Sequence, residues 1–439
     1  MNTKLLSSAA AAALLLGTAA TADLSIMYRS QFASLIEPGI EAYEAATGEA
    51  VERIPLPNEG YDNRIALDVA SGTAPDVLHI DTGMVQRLSA NGDLLPLNGM
   101  AETWDQWQFY PQRTLDATSL DGKVYALLTD TDARMLWYSV KAFEAAGIES
   151  PWKPQTWDEL LDTARKVKEA TGTENALVVP AGTKNEEATT MQGFYMVLLG
   201  ADTPEGDRNR LRNRDTGQWI GKSPALRRTF EFYETIYTTD ALAEPGDQYS
   251  SDVGAIMRPG LISGEVGIWA SGSWENNCIW DCGGTDIPPQ AERDKAVYWA
   301  PFPGSGVAGA PAYSNISAGW TVGVSAATDQ PEEAKALVAK IFDRETFEPW
   351  VIENGRMAVR TDIAETPAYQ SDKFFSDVTP LNDQTTKRDA VPGYYFVSAL
   401  VQQSTADILD GISVDEVMET YHETLIDEFG EDQVMVIED

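Results

Sequence analysis

The residues that decide the fold run from Leu24 to Asp81: LSIMYRSQFASLIEPGIEAYEAATGEAVERIPLPNEGYDNRIALDVASGTAPDVLHID. Three short apolar runs have the length and composition of buried strands, and two segments with helical spacing separate them. A glycine of the kind that ends helices follows each helical segment, at Gly48 and Gly72. This alternation predicts an α/β unit built on a parallel sheet. The predicted strands are residues 24–28, 50–54 and 76–80, and the predicted helices are residues 34–47 and 61–71.

The rest of the chain keeps this alternation. Capping boxes, in which glutamate follows a serine or threonine by three residues, open two later helices, at Thr156 and Ser413. The glycine- and proline-rich run 301–311 is predicted to cross between domains, and residues 98–120, 202–222 and 369–395 show no clear pattern. Further strands are predicted at residues 124–128, 136–139, 176–180, 265–270, 296–300 and 320–325, and further helices at 156–170, 223–238, 331–342 and 413–429.

The length and the net charge of the chain limit the functions that it can have. The 439 residues correspond to two to three domains, and the 43% of hydrophobic residues are enough for a large core. The chain has 32 Lys and Arg against 68 Asp and Glu, so its net charge is −36. Such a polyanion repels phosphate backbones and anionic lipids, so nucleic acids and membrane surfaces are poor partners.

Residues 1–22 have the features of a signal peptide. Lys4 is the positive group, residues 5–17 form a short apolar run, and Ala20 and Ala22 are small residues at the −3 and −1 positions. We expect a mature chain that begins at Asp23 and is exported to the periplasm, and an N-terminal anchor is the alternative. No cysteine follows the small residues, so no lipid anchor is expected. No later apolar stretch is long enough to span a bilayer.

The two cysteines and two histidines leave little room for metal chemistry. Cys278 and Cys282 lie close together in a chain expected to be exported, so a disulfide is favoured over a metal pair or a redox motif. His79 falls inside an apolar strand and is interpreted as a core histidine bonded to its neighbours. His422 falls on an acidic helix and is interpreted as solvated. Neither a metal site nor a cofactor is expected.

No catalytic motif stands out. The chain has no H-E-x-x-H and no G-x-S-x-G motif, and the GKS at residues 221–223 lacks the earlier glycine of a P-loop. Paired carboxylates could support a glycosidase, but 68 acidic residues make chance pairs common. Asp130 and Asp132 directly follow a strand, which suits either a binding role or loop capping.

The twelve tryptophans indicate a ligand with flat apolar faces. Trp269, Trp274, Trp299 and Trp320 fall at predicted strand ends or in loops. Sugars stack on such rings while charged planar side chains bond to their hydroxyls. Glycines beside Trp274 and Trp320 allow close approach of a ligand, although core packing is about equally expected for any single tryptophan.

Several segments, in order, resemble the bacterial extracellular solute-binding proteins of family 1. These are the periplasmic receptors of carbohydrate ABC importers and include the maltose and trehalose/maltose binding proteins. Each motif is weak alone, and together they cover about residues 24 to 365. The segments are ASGTAPDV (70–77), LSANGDLLPL (88–97), LWYS (136–139), FEAAGI (143–148), TWDEL (156–160), SGEVGIWASGSW (263–274), Gly319-Trp320 and PEEAKALVAKIF (331–342).

The resemblance implies an α/β fold of the periplasmic binding protein-like type II class. It has two α/β lobes, hinge crossings between them and a ligand cleft at their interface. The first lobe should hold residues 23–130 and 303–352, and the second should hold 131–302 and 353–439. Hinge closure around the ligand would present the closed form to a permease.

The same resemblance implies a set of ligand-binding residues. Asp81 would accept hydroxyl hydrogens, Trp274 would stack on a sugar ring, and Gly319 and Trp320 would contribute backbone and ring. Weaker candidates come from the strand ends. The implied set is Asp81, Asp130, Asp132, Trp274, Gly319, Trp320, Arg356, Glu59, Tyr61 and Arg29. At Asp130 the chain departs from the aromatic residue frequent in the family.

The implied function is capture of an oligosaccharide or glycoside for an ABC permease, by a monomer without catalytic activity. The net charge favours a neutral sugar. A receptor on the same scaffold for a polyol phosphate, a sulfonated sugar or a quaternary amine is the first alternative, since aromatic boxes also hold quaternary amines. A secreted glycosidase is the second, and it would need two dedicated carboxylates facing one bond.

Overall fold

The computed structural model describes residues 24–57, 60–250, 252–282, 286–382, 385–386, 388–389 and 391–438. The expected signal peptide and Glu59 therefore lie outside the described residues. Among the described helices, none has both the length and the apolarity needed to cross a bilayer.

Helices and strands alternate along the described chain. The strands are β1 Leu24–Arg29, β2 Val51–Leu56, β3 Val77–Asp81, β4 Ser119–Leu120, β5 Lys123–Val124, β6 Ala126–Leu128, β7 Arg134–Ser139, β8 Asn175–Val178, β9 Trp219–Lys222, β10 Val266–Gly272, β11 Val297–Ala300, β12 Phe302–Pro303, β13 Tyr313–Ser314, β14 Trp320–Val324 and β15 Val434–Val436. The helices are α1 Ala33–Thr47, α2 Tyr61–Ser71, α3 Thr82–Asn91, α4 Met100–Thr103, α5 Gln112–Asp116, α6 Val140–Ala145, α7 Trp157–Thr171, α8 Tyr195–Ala201, α9 Pro224–Glu234, α10 Gly254–Ser263, α11 Glu275–Asp281, α12 Gln290–Arg293, α13 Pro331–Phe342, α14 Arg344–Glu353, α15 Thr361–Ala364, α16 Pro367–Gln370, α17 Lys373–Asn382, α18 Tyr394–Leu409 and α19 Val414–Phe429.

The first sheet has five strands in the order β2-β1-β3-β14-β6. β1 runs parallel to β2 and β3, as the opening stretch predicts, and β14 runs antiparallel to β3 and β6. The register pairs Trp320 with Asp81, so a residue late in the chain lies beside the end of an early strand. Helix α1 packs against α13 so closely that a Cβ on Gly39 would lie 2.4 Å from the Cα of Ile341.

The second sheet has four strands in the order β11-β7-β10-β8. β10 runs parallel to β8 and antiparallel to β7, and β7 also pairs antiparallel with β11. Every residue of β7 and β10 is buried, because helices cover both faces of these central strands. The capping box at Thr156 opens α7 as predicted, since its side chain accepts a hydrogen bond from the amide of Glu159.

The glycine- and proline-rich run does not cross between the sheets, so that prediction is wrong. β12 pairs with β13, and this hairpin stays with the helices of the second sheet. Trp157 donates its indole N–H to the carbonyl of Pro303, and Gly304 packs against Gly200. The glycines of this run allow close packing and do not form a linker. The chain reaches the first sheet only after residue 314.

The C-terminal region packs on helix α9 and strand β9. α18 and α19 lie against α9, and β15 adds a parallel partner to β9. Within residues 369–395, which show no clear sequence pattern, the described residues include the end of α16, all of α17 and the start of α18. His422 is half-buried against β9, where Gly221 leaves room for its ring, so its interpretation as a solvated side chain is wrong.

Candidate ligand-binding site

An ion-pair chain links the end of β3 to the C-terminal region. The carboxylate of Asp81 accepts a hydrogen bond of 2.7 Å from the amide of Gly83 and so caps α3. The same carboxylate pairs with the guanidinium of Arg388. The guanidinium of Arg388 lies against Gly83, where a Cβ would be 2.4 Å from its Nη2, so a side chain at that position would displace the guanidinium.

Glu187 extends the ion-pair chain from Asp81 beyond Arg388. It accepts hydrogen bonds from Nη1 of Arg388 at 2.8 Å, from the hydroxyl of Tyr394 at 3.0 Å and from the hydroxyl of Ser398. Burial, with a smaller contribution from the nearby carboxylate of Asp62, raises the pKa of Glu187 to about 7 against the lowering effect of the hydroxyl donors. Glu187 therefore changes charge near neutral pH.

Trp320 lies in an aromatic group at the ends of β1 and β3. His79 stacks on it with ring centroids 4.9 Å apart, and the guanidinium of Arg29 lies 4.2 Å from its centroid. Phe32 and Tyr61 each lie 5.9 Å from it. The His79 ring is fully buried, and its nitrogens have no hydrogen-bond partner in the described part of the chain. His79 is therefore the core residue predicted, but stacking holds it and the predicted hydrogen bonds are absent.

Burial shifts the pKa values of the charged groups beside Trp320. It lowers the pKa of Arg29 to about 10, although the carboxylate of Asp62 acts in the opposite direction. It raises the pKa of Asp62, which Arg29, Arg388 and Arg87 lower in turn. Cations and carboxylates thus meet here in a partly dehydrated region, where hydrogen bonds to charged groups are strong.

Three chain crossings between the sheets contact one another. The amide of Thr131 donates to the carbonyl of Met357 at 3.4 Å, and the hydroxyl of Thr131 lies 2.9 Å from that of Ser317. Asp132 accepts a hydrogen bond of 2.9 Å from the amide of Ala318 and pairs with Arg134. These internal bonds give Asp132 a positioning role at the crossings.

Asp130, Gly319 and Arg356 belong to the same crossings. Arg356 lies 3.3 Å from the carboxylate of Asp130 and faces the rings of Phe32 and Trp350. Burial raises the pKa of Asp130, and Arg356 opposes that rise. A Cβ on Gly319 would lie 2.4 Å from the carbonyl oxygen of Asp130, so glycine permits this close crossing.

Trp274 is a half-buried ring at the end of β10. It lies over Gly272, where a Cβ would be 2.0 Å from the ring, and the guanidinium of Arg134 lies 5.1 Å from its centroid. Its indole N–H donates to Glu275 at 2.9 Å. Glu275 in turn holds Arg258 through bonds of 2.8 and 3.0 Å. The hydrogen bond to Glu275 thus holds one edge of the Trp274 ring in place, while part of the ring surface stays exposed.

Most of the residues implied by the resemblance line one boundary between the sheets. Arg29, Tyr61, Asp81 and Trp320 form one end, the crossing residues lie in the middle, and Trp274 lies beside Arg134. Tyr61 is 2% exposed and donates its hydroxyl to the carbonyl of His79 at 2.6 Å, so it supports the site from beneath. Ligand contact by these residues stays a prediction.

The structure adds site residues that sequence reasoning missed. Four of them carry a buried polar atom without a hydrogen-bond partner among the residues that the structure describes: Oδ1 of Asp62, Nε of Arg87, Nε of Arg388 and the hydroxyl of Tyr395. Asp62 directly follows the predicted Tyr61, so its position after a strand could have suggested it. Nothing in the sequence indicated Arg388 or Tyr395, because their segment shows no clear pattern.

A surface depression of about 360 Å³ lies elsewhere, against the first sheet. Its lining includes Asn98, Trp107 and Leu115, and Asp116 is the one charged residue among those that line it. This depression is a weaker candidate for the ligand-binding site than the boundary between the sheets. A binding site needs converging polar groups, and those lie between the sheets.

Two sheets with their own helices are joined by three adjacent crossings and lined with polar and aromatic groups where they meet. This arrangement is the two-lobed α/β fold of the periplasmic binding protein-like type II class. The family model for bacterial extracellular solute-binding proteins matches residues 28–346. The chain belongs to this family, and the resemblance inferred from the motifs is confirmed.

Individual relatives are distant. A lactose-binding protein of Rhizobium radiobacter is 23% identical over 387 residues, which cover 81% of this chain and 80% of the relative. A solute-binding protein of Thermotoga lettingae solved with α-D-tagatose has a TM-score of 0.76 at 22% identity and covers 92% of this chain and 98% of its own. One of Agrobacterium vitis solved with D-mannitol has a TM-score of 0.72 at 17% identity and covers 92% and 97%. The two structures show the shared fold.

The structure joins Cys278 and Cys282 in a disulfide across α11. Because this loop is short, replacing both cysteines with serine is expected to lower the free energy of unfolding by only about 2 kcal/mol. Urea unfolding of the oxidised wild type and the double variant measures the difference. A loss above about 4 kcal/mol would show that the bond does more than limit the unfolded chain. Labelling of both thiols in the unreduced protein would refute the bond itself.

Proposed function

We propose that the protein captures a carbohydrate between its two lobes and delivers it to the permease of an ABC importer. The proposed lobes are the two sheets with their helices, and they meet at the crossings near Thr131, Ser317 and Met357. Closure about these crossings would enclose the ligand. Export of a mature chain from Asp23 to the periplasm, as a monomer without catalytic activity, belongs to the same proposal.

One observation carries this proposal. The half-buried ring of Trp274 lies 5.1 Å from the guanidinium of Arg134 beside the crossings, and Arg388, on the C-terminal side, pairs with Asp81 of the first lobe. Sugars need this combination, since their C–H faces stack on flat rings while their hydroxyls both donate and accept hydrogen bonds. The names of the relatives, which refer to lactose, tagatose and mannitol, support a carbohydrate.

An anionic polyol is the second candidate, because three arginines lie close together at the site. Each has acidic neighbours, however. Arg388 pairs with Asp81 and Glu187, while Asp62 lies within electrostatic reach of Arg29 and Arg87. This balance favours a neutral ligand, since a further anion would face carboxylates already in place.

Isothermal titration calorimetry tests the proposal. The mature protein, stripped of ligand by unfolding and refolding, is titrated with neutral sugars, sugar alcohols, a polyol phosphate and a betaine. We expect one stoichiometric neutral carbohydrate, and Trp274→Ala should weaken its binding by roughly tenfold or more, which corresponds to about 1.4 kcal/mol, because the stacking surface is lost.

Trp107→Ala is the control, since this partly buried ring lines the depression on the first lobe, away from the proposed cleft. It should leave the affinity within about twofold of the wild type. Binding of the polyol phosphate or the betaine, with no heat from any carbohydrate, would keep the fold and defeat the carbohydrate assignment.

A further inference from the structure

Arg134 connects the chain crossings to the ring of Trp274. It is the first residue of β7, directly after the crossing near Thr131. Its guanidinium pairs with the carboxylate of Asp132 in that crossing and lies 5.1 Å from the centre of the Trp274 ring. One cation therefore contacts both the first crossing and the tryptophan proposed to stack on the ligand.

Hydrogen bonds from the crossing near Ser317 hold Asp132 and Arg134 in place. The carboxylate of Asp132 accepts a bond of 2.9 Å from the amide of Ala318 and one of 3.3 Å from the hydroxyl of Ser317. The amide of Arg134 donates to the side-chain oxygen of Asn315 at 2.9 Å. The main chain of Arg134, and its side chain through Asp132, are thus tied to the second crossing.

The Trp274 ring has one hydrogen-bonded edge, which leaves its orientation to its other neighbours. The indole N–H donates to Glu275 at 2.9 Å. The antiparallel register pairs Arg134 with Gly272, over which the ring lies, so the backbone keeps the guanidinium next to the ring. A ring held at one edge can turn about that edge, and the guanidinium over its face limits this turn.

Burial makes the connection stiff. Arg134 is 4% exposed and Asp132 is 8% exposed, so neither charge can turn to water if the pair separates. In the described part of the chain, Asp132 is the one carboxylate that pairs with Arg134. A shift of the crossings therefore moves Arg134 together with Asp132, and the attraction between cation and ring passes the shift to Trp274.

We propose that Arg134 is a positioning residue that couples the arrangement of the crossings to the orientation of the Trp274 ring. Closure about the crossings then turns the ring towards the ligand, so closure and stacking stabilise each other. The inference rests on the proposed function, because it takes Trp274 as a ligand contact and the crossings as the hinge.

Fluorine NMR of the ligand-free protein tests the coupling. Fluorinated tryptophan labels all twelve tryptophans, and Trp274→Phe identifies the Trp274 resonance by its loss. Asp132→Asn keeps an acceptor for the amide of Ala318 but removes the charge that holds Arg134. We expect it to shift the Trp274 resonance, since Arg134 lies between the two. Arg134→Lys should abolish this response, because lysine lacks the planar guanidinium that spans carboxylate and ring.

Asp130→Asn is the matched control, because Asp130 lies on the same crossing and pairs with Arg356 instead. It should leave the tryptophan resonance at its wild-type position. If Asp132→Asn does not fold, Ser317→Ala takes its place, since it removes a hydroxyl bonded to the same carboxylate. A resonance that does not respond, or a response that persists in Arg134→Lys, would overturn the proposal.

Calorimetry with the carbohydrate that binds the wild type adds a second readout. Arg134→Lys should weaken binding at least about fivefold in the wild type but less than about twofold in Trp274→Ala, because it acts through the ring. Equal weakening in both backgrounds would overturn the proposal and leave the carbohydrate receptor standing. If no carbohydrate binds, the proposed function fails, and the NMR comparison still decides whether Arg134 couples the crossings to the ring.

Discussion

Replacing Glu275 with alanine is expected to lower the free energy of unfolding by about 3–5 kcal/mol. Glu275 is 1% exposed, and its carboxylate holds Arg258, the indole N–H of Trp274 and the hydroxyl of Ser271. Removing it leaves the mostly buried guanidinium of Arg258 without its counter-charge, and the cost of such a charge dominates the loss. Urea unfolding of both proteins at pH 7 measures the difference.

The exposed pair of Lys295 and Glu292 supplies the control. Both side chains are well exposed, so Glu292→Ala should change the free energy of unfolding by less than about 1 kcal/mol. Equal losses in the two variants would contradict the role given to the Glu275 network. If Trp274 stacks on the ligand, Glu275→Ala should also weaken ligand binding, because the indole N–H loses the hydrogen bond that positions the ring.

Raising the pH through neutrality is expected to remove up to about 3 kcal/mol of stability through Glu187. Its pKa is about 7 in the folded chain, against an ordinary value of 4.5. Between these values the folded protein binds one proton more than the unfolded chain, so the contribution is complete below about pH 4.5 and is lost as the pH rises through about 7.

Unfolding of the wild type and of Glu187→Gln at a series of pH values from 5 to 8 isolates this effect. The glutamine keeps an acceptor for Tyr394 and Ser398 but does not titrate, so the wild type should lose stability relative to the variant as the pH rises. Glu41→Gln, on the exposed face of α1, should follow the wild type at every pH. A wild-type curve parallel to that of Glu187→Gln would refute the raised pKa.

Local features of the sequence account for the elements that were predicted well. The strands in residues 24–81 and their helices follow from apolar periodicity and helix-ending glycines, and the parallel pairing of β1 with β2 and β3 follows from their alternation. Residues 369–395, which end in the start of α18, were harder, because polar and aromatic residues are mixed there without a period.

The candidate site was predicted only in part. Asp81, Trp320 and Trp274 were proposed because the family resemblance implied them, and glycines beside the two tryptophans supported that choice. Arg388 and Tyr395 were not found, because each matters only through partners far along the chain. Asp132 was predicted as a ligand contact, but its hydrogen bonds to the crossings could not be seen before the three crossings were placed together.

The sequence by itself determined the α/β class, the order of the strands along the chain and the family, since periodicity, caps and ordered motifs are local properties. Only the tertiary structure decided which charges meet between the lobes. Arg388, which lies between α17 and α18, pairs with Asp81 at the end of β3 in the first sheet. Ion pairs and partner-free polar atoms depend on distances across the fold, and no local pattern encodes them.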